Sequence, residues 1–552
     1  MKLFSQELDQ LFSSQETSLL TEGLSLVKPI SPSIVKTFTR ELYLQTLQMK
    51  EAKNVSEVDD SDNVFEKGLD SLGVMVIVQR LKAALKFCEA NIDLNVIDPR
   101  LGYSAPSIGQ ISNAIITILE NRNEASTGDG SSVMVPRQRK MEEILQKYSK
   151  GIPSRPFNDE ILNGLKIGIF SRQKGWKVIL TGTTGSLGSY LLAAIEALPE
   201  SQVAKIFCLN RSPNSEERQK KSNLSRGLDD SWLDGRVEFL QADLSLEQLG
   251  LARETYLQLI DEATVIIHCA WKVHFNLTLE SFEPQIRGVR NLLDFRFLSK
   301  NKAPVVFIST ISTALGWGAK TPGSAVPEAI IHDFEAPERI GYGESKYICE
   351  LLIENFGKTS GISTAIFRTG QIAGPLSKKG LWNKPEWFPS IIASSKHLNT
   401  LPETLGTFEK IDWVPVDLLS TSMVELVEKL ISKDKVGTEE TLVYNLVNPK
   451  VTTWSSLLPA VQELAGTPRT LPLGDWVKEL EKSANENFGI VTERNPGLKL
   501  LDFFRSLSSQ EISSNHSPQF EVTKLVHDSR HASRLDPVSP KWMGMWMDQW
   551  KF

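Results

Sequence analysis

The sequence predicts an α/β protein, a doubly wound parallel sheet preceded by a small all-helical bundle. Three observations carry that prediction. Before residue 122 the apolar residues recur only at helical spacing. From residue 177 onward, short and nearly continuous apolar runs alternate with helical stretches, the pattern of a sheet covered on both faces. Between the two lies NRNEASTGDGSSVMVPR (122–138), rich in Ser, Gly, Asn and Asp and without apolar periodicity, which reads as a tether.

Composition bounds the function. With 552 residues, 41% hydrophobic and 23% charged, the chain is long enough for more than one core. The 61 Lys and Arg against 67 Asp and Glu leave a net charge of −6. That excludes a globally basic nucleic-acid binder and gives no pull toward an anionic membrane surface. Four cysteines (Cys88, Cys208, Cys269, Cys349) stand far apart with no CxxC pair, so neither a disulfide scaffold nor a metal cluster is expected. No run nears the roughly 18 apolar residues of a membrane helix. The opening MKLFSQELDQLF carries Glu7 and Asp9 where a secretory signal is apolar, and a cytoplasmic location is expected.

The elements follow in order. Residues 1–30 read as a helix-and-loop remnant too short for its own core. Within 31–122 the helices are Ile34–Met49, Leu72–Leu85 and Ile108–Leu119, with Ser33 and Ser107 as N-caps and Pro32 and Pro106 just outside. Residues 123–150 form the linker, ending in a short charged helix at 139–149. The α/β part, 151–552, opens with strand Lys177–Leu180 and helix Leu187–Leu198. Strands Ile206–Leu209, Val237–Leu240, Thr264–His268 and Val305–Ser309 follow.

The most specific local signal is Thr181-Gly182-Thr183-Thr184-Gly185-Ser186-Leu187-Gly188, directly after a strand and directly opening a helix. Gly182 permits a tight turn, Gly185 lets backbone approach a pyrophosphate, and Gly188 allows close helix–strand packing, while the helix start offers free N–H groups. Thr181, Gly182, Thr184, Gly185, Ser186, Leu187 and Gly188 are therefore candidate dinucleotide ligands. The second strand ends in Asn210-Arg211 with no acidic residue at its tip, which selects the 2′-phosphate of NADP(H) over NAD(H). Arg218 and Lys220-Lys221 either add to that pocket or are solvated surface. Asp243 and Leu244, after the third strand, lie near the adenine, or Asp243 caps the next turn.

Tyr342-Gly343-Glu344-Ser345-Lys346 sets a phenol and an ammonium at i and i+4 on one helix face. A nearby lysine cation favours tyrosinate and brings a phenol toward working range. Thr310 is the favoured hydroxyl partner for a substrate oxygen, with Ser309 and Ser312 as alternatives.

Together these motifs resemble the extended short-chain dehydrogenase/reductase family. The resemblance implies a Rossmann core over 151–375 and a Thr/Ser–Tyr–Lys triad at Thr310, Tyr342 and Lys346. FRTGQIAGP (367–375) and IDWVPVD (411–417) match its later landmarks and imply a substrate-binding lobe, mainly 376–552, with returns to the core. His268, His274, Cys208 and Cys269 read as packed residues.

Upstream, Phe65-Glu66-Lys67-Gly68-Leu69-Asp70-Ser71-Leu72 before an apolar helix is either an Asp-Ser helix start or something more. The string resembles acyl and peptidyl carrier domains, in which the serine matching Ser71 bears a 4′-phosphopantetheine arm. A carrier tethered to an NADP(H) reductase resembles the carrier–thioester reductase tail of nonribosomal-peptide-synthetase-like proteins, aminoadipate reductases and carboxylic acid reductases. Within it, His274 stands where relatives usually carry Asn. The resemblance implies NADPH-dependent release of an acyl thioester as an aldehyde, or onward to an alcohol, in secondary metabolism. Its implied partners are a phosphopantetheinyl transferase and an adenylating or acyl-loading enzyme in trans. Three rival readings use the same motifs: a ketoreductase or sugar-nucleotide epimerase, a redox-silent cyclase, and a non-catalytic docking carrier.

Overall fold

Seven parallel strands organise most of the chain in the computed structural model. It describes residues 31–49, 58–62, 64–65, 67, 69, 71–87, 97, 99–120, 137–154, 175–230, 235–321, 323–432, 441–483, 495–510 and 518–551. The strands are β1 (Trp176–Thr181), β2 (Val203–Asn210), β3 (Val237–Gln241), β4 (Val265–His268), β5 (Val305–Thr310), β6 (Thr364–Thr369) and β7 (Leu442–Leu446). They stand in the order β7-β6-β5-β4-β1-β2-β3, each pair parallel. β4, β5 and β6 are buried along their whole length, as a sheet covered on both faces requires.

The order reverses between β1 and β4, and all strands point the same way. The carboxyl ends of β1, β4 and β5 therefore share one edge at the switch point where such sheets bind ligands. Register makes this concrete: Thr181 pairs with His268, and His268 with Phe307, three residues before the end of β5. Helices Ser186–Glu196 and Gly341–Ser360 start from this edge.

By its internal contacts the chain divides into two units, 1–134 with 275–281 and 480–501, and 135–274 with 282–479 and 502–552. In the first, helices Pro32–Met49, Ser71–Phe87, Pro99–Ser104 and Ile108–Glu120 pack through Leu42, Tyr43, Leu47, Val74, Ile77, Ile111 and Ile115. Ser107 caps as expected, its Oγ accepting from Gln110 N at 3.2 Å. At the first helix the cap is displaced. Pro32 is the first helical residue, where its missing N–H costs nothing, and Ser31 Oγ accepts from Ile34 N in place of Ser33.

The second unit begins before the expected boundary at 151. Residues 123–136 lie outside the described residues, whereas Arg137–Ser149 is a helix that packs on Gly341–Ser360 and Glu283–Leu298, burying Met141 and Tyr148. Tyr148 donates to Glu283 Oε1 at 2.8 Å, and Arg290 donates to the carbonyls of Tyr148, Lys150 and Gly151.

Beyond β6 an aromatic core of Trp382, Phe388, Trp413, Trp546 and Trp550 forms, with ring centroids 4.6–6.1 Å apart. Helix Val416–Ser432 crosses back onto Ser186–Glu196, and β7 re-enters the sheet at its edge. Among the described residues no helix is long and apolar enough to cross a membrane.

Candidate active site

The glycine loop forms a cradle that side chains would fill. Gly182 adopts φ +73°, and a Cβ there would lie 2.7 Å from Ala270 Cα. A Cβ on Gly188 would lie 2.1 Å from the Gly182 carbonyl oxygen, so only glycine lets the helix press on the turn. Gly185 is the N-cap of Ser186–Glu196 and supplies no side chain to it. The first-turn amides are thus left for an anion at the positive end of a helix dipole. Gly182, Thr184, Gly185 and Ser186 keep exposure while Thr181, Leu187 and Gly188 are buried beneath them. An uncapped helix start over a cradle of this kind fits a dinucleotide pyrophosphate.

At the tip of β2 the two candidates divide. Asn210 is buried and donates to Thr183 Oγ1 at 2.9 Å, bracing the loop from behind. Arg211 is exposed just beyond the strand. Lys220 and Lys221 pair with Glu216 and Glu217 one turn back along their own helix, so much of their charge is met locally. The Asp243 carboxylate accepts from Ser245 N and Oγ at 3.0 and 2.7 Å, so it serves as the turn cap, one of its two sequence readings. Leu244 packs against Gly288 of Glu283–Leu298, where a Cβ would meet it at 3.1 Å.

The second half of the site is where β5 meets Gly341–Ser360. The Tyr342 hydroxyl hydrogen-bonds Thr310, which separates the three candidate hydroxyls. Ser309 instead donates to Glu350 Oε1 at 2.6 Å, and Ser312 gives its backbone N–H to Thr310 Oγ1 at 3.2 Å. Burial pushes the Tyr342 phenol up to about 12, against the Thr310 hydrogen bond that pulls it down; Cys269 and Glu338 push it further up. Lys346, one turn along, is pulled down to about 7 by burial. Lys346 is not among the groups that shift Tyr342 here, and its Nζ donates to the Ile308 carbonyl at 2.6 Å.

Beneath these residues lies a pair that motif reading did not single out. Arg368 and Glu350 are 0% and 1% exposed and joined by Nη2–Oε2 at 2.7 Å. Glu350 also accepts from Ser309 and Thr313, and Arg368 from its other arm donates to Pro327 O. The signal was available: Glu350 extends the Tyr342, Lys346 spacing by one more i+4 step, and Arg368 directly follows the apolar run Ala365-Ile366-Phe367 within β6.

His268 closes the edge between β1 and β4. Thr181 Oγ1 accepts from Cys269 N and Ala270 N at 3.1 and 3.0 Å, which uses both lone pairs. Its own hydrogen therefore goes to His268 Nδ1, 2.8 Å away, and the imidazole proton sits on Nε2, buried without a partner among the described residues. Burial holds His268 far down, at about 3, so the ring is neutral. Cys208 lies inside β2, whereas Cys269 stands one residue past β4 and is partly exposed, not within a strand. Among the described residues no three His, Cys, Asp or Glu side chains gather as a metal site. Ser71 begins the Ser71–Phe87 helix, and its side chain lies outside what is described.

The chain is similar to known proteins. Residues 180–423 match an NAD-binding family described as male sterility protein. The chain is 32% identical, over its whole length, to half of a carboxylic acid reductase of Neurospora crassa. It is 31% identical, over 99% of its length, to 49% of an adenylate-forming reductase of Serpula lacrymans. The chain thus spans about half the length of the curated relatives it matches. Two solved structures share the fold. The terminal R domain of the myxalamid PKS-NRPS pathway has TM-score 0.60, with 21% identity over 75% of this chain and 97% of that one. A thiolation-reductase di-domain of an archaeal nonribosomal peptide synthetase has TM-score 0.56, with 19% identity over 94% and 97%.

Proposed function

Since this chain is an oxidoreductase of the extended short-chain dehydrogenase/reductase family, among its thioester reductases, we propose that it uses NADPH to release an acyl group from a carrier thioester as an aldehyde. The observation that carries this reading is the Thr310–Tyr342 hydroxyl pair, with Lys346 one turn on, at the same sheet edge as the glycine cradle.

Thr181 to Gly188 would hold the pyrophosphate and Arg211, free to reach outward, the 2′-phosphate. NADPH supplies the hydride that the thioester carbonyl carbon takes up. Thr310 donates a hydrogen bond to the carbonyl oxygen as charge grows on it, an interaction strongest in the transition state. Tyr342 gives that oxygen its proton, for which a phenol above the working pH is in the right protonation state. In the resulting hemithioacetal the phenolate takes the hydroxyl proton back, the C–S bond breaks with its electron pair leaving on sulfur, and aldehyde and thiolate separate, the thiolate then taking a proton from water. Lys346, protonated, offsets the phenolate charge and meets the ribose. The thiol belongs to a phosphopantetheine arm on Ser71, installed by a phosphopantetheinyl transferase and loaded by an adenylating or acyl-transferring enzyme in trans. Tethering to one chain raises the local concentration of the acyl group.

Purified chain with an acylated arm is expected to oxidise NADPH and liberate aldehyde. Tyr342→Phe is expected to lower turnover at least 100-fold with NADPH affinity within threefold of the parent. Unchanged turnover in that variant would remove Tyr342 from the reaction.

A further inference from the structure

Lys346 is buried, and among the described residues no carboxylate lies within ion-pair distance of it. Its Nζ donates to the Ile308 carbonyl and otherwise faces aromatic rings, lying 3.9 Å from the Trp271 centroid and 4.4 Å from that of Phe307. The rings are fixed to one another. Trp271 meets Phe307 edge-on at 5.7 Å, and His268 stacks on Phe307 at 5.8 Å and touches Trp271 edge-on at 6.2 Å. His268 in turn is held by Thr181, so β1, β4 and β5 all brace the same cage.

An ammonium out of water with one carbonyl partner is costly, and π faces at this range are what replace its hydration. We propose that Trp271, backed by Phe307, is a positioning residue that keeps the Lys346 ammonium charged and in register one turn from Tyr342. The proposal rests on the reductase reading for its purpose but not for its geometry. The other titratable groups facing Lys346 are Cys349 and Glu350 on its own helix and Cys269 and His268 from the end of β4. Glu350 is already engaged by Arg368, and His268 is neutral, so neither substitutes for the rings. The Trp271 indole N–H is also buried with no acceptor among the described residues, which gives the π face and the N–H separable roles.

The test is a double-mutant cycle on NADPH affinity, measured by titration calorimetry on the full chain. W271L is expected to weaken binding about tenfold, the scale of a desolvated cation–π contact. K346M is expected to lose at least as much, and W271L/K346M to stay within about twofold of K346M. W271F, which keeps a π face, is expected to stay within about twofold of the parent. Losses that multiply in the double variant, or W271L binding like the parent, would overturn the proposal. Should K346M fail to fold, the alkaline limb of kcat/KM with a free acyl-pantetheine thioester decides. It is expected to move at least about half a unit toward acid in W271L and not in W271F; an unmoved or alkaline-shifted limb in W271L overturns the cage. A parent that binds NADPH but reduces no thioester would sink the reductase reading while leaving the binding cycle intact.

Discussion

Single residues carry the sharpest consequences. Gly188→Ala would set a methyl 2.1 Å from a backbone oxygen that cannot move without opening the turn. It is expected to weaken NADPH binding at least tenfold and to cost about 1–3 kcal/mol of stability, checked by calorimetry and urea titration. Lys346 makes a second prediction, with its sign fixed by its pKa. Its folded value, about 7, lies below the ordinary lysine value of 10.5, so between those limits the unfolded chain binds more protons and stability gained from this group rises with pH. Lys346→Met is therefore expected to melt higher than the parent near pH 6.5. That advantage should shrink as pH climbs toward 10, in paired melting curves. An advantage that does not change with pH would show that the ammonium is not desolvated.

Among elements, the helix Arg137–Ser149 changes where the reductase begins. Arg137 pairs with Glu344 on the helix that carries Tyr342, and donates to the carbonyls of Phe334 and Pro337 at 3.0 and 2.8 Å. The next residue, Glu338, gives its N–H to Ser312 O at 2.7 Å, and Ser312 in turn supports Thr310. Arg137→Ala is expected to cost about 1–3 kcal/mol in urea titration, less than a fully buried pair because both partners keep some exposure. It is also expected to lower kcat for a free thioester more than it changes KM. The sequence showed this helix but not its berth, since a charged amphipathic segment looks the same in solvent as on a partner surface. Five strands were legible from apolar runs. β6 and β7 were not, because Arg368 and Asn445 break their patterns, and each is excused only by tertiary partners: Glu350 for one, the carbonyls of Val326 and Glu521 for the other. The glycine loop and the Tyr342–Lys346 spacing were legible because local geometry dictates them. The Lys346 cage was not, because Trp271 is brought to it from the segment after β4 and Phe307 from β5.

At the scale of the molecule the question is how an acyl group reaches the site. Incubation with a phosphopantetheinyl transferase and coenzyme A is expected to add one arm to the parent and none to Ser71→Ala, read by intact mass. Both should reduce a free acyl-pantetheine thioester at equal rates. Equal masses would leave Ser71 as the first residue of a helix and nothing more. The sheet itself holds a further consequence. Its edge strand, β7, is reached only after the chain has left β6, laid down Trp382, Phe388 and Trp413 and returned, and Trp546 and Trp550 join them from the helix Pro540–Trp550 after β7. The two halves of that excursion are stitched into adjacent rungs of one ladder, so the lobe cannot swing like a lid on a loose strap. A calorimetric scan of this unit should give one endotherm, with lobe and sheet lost together.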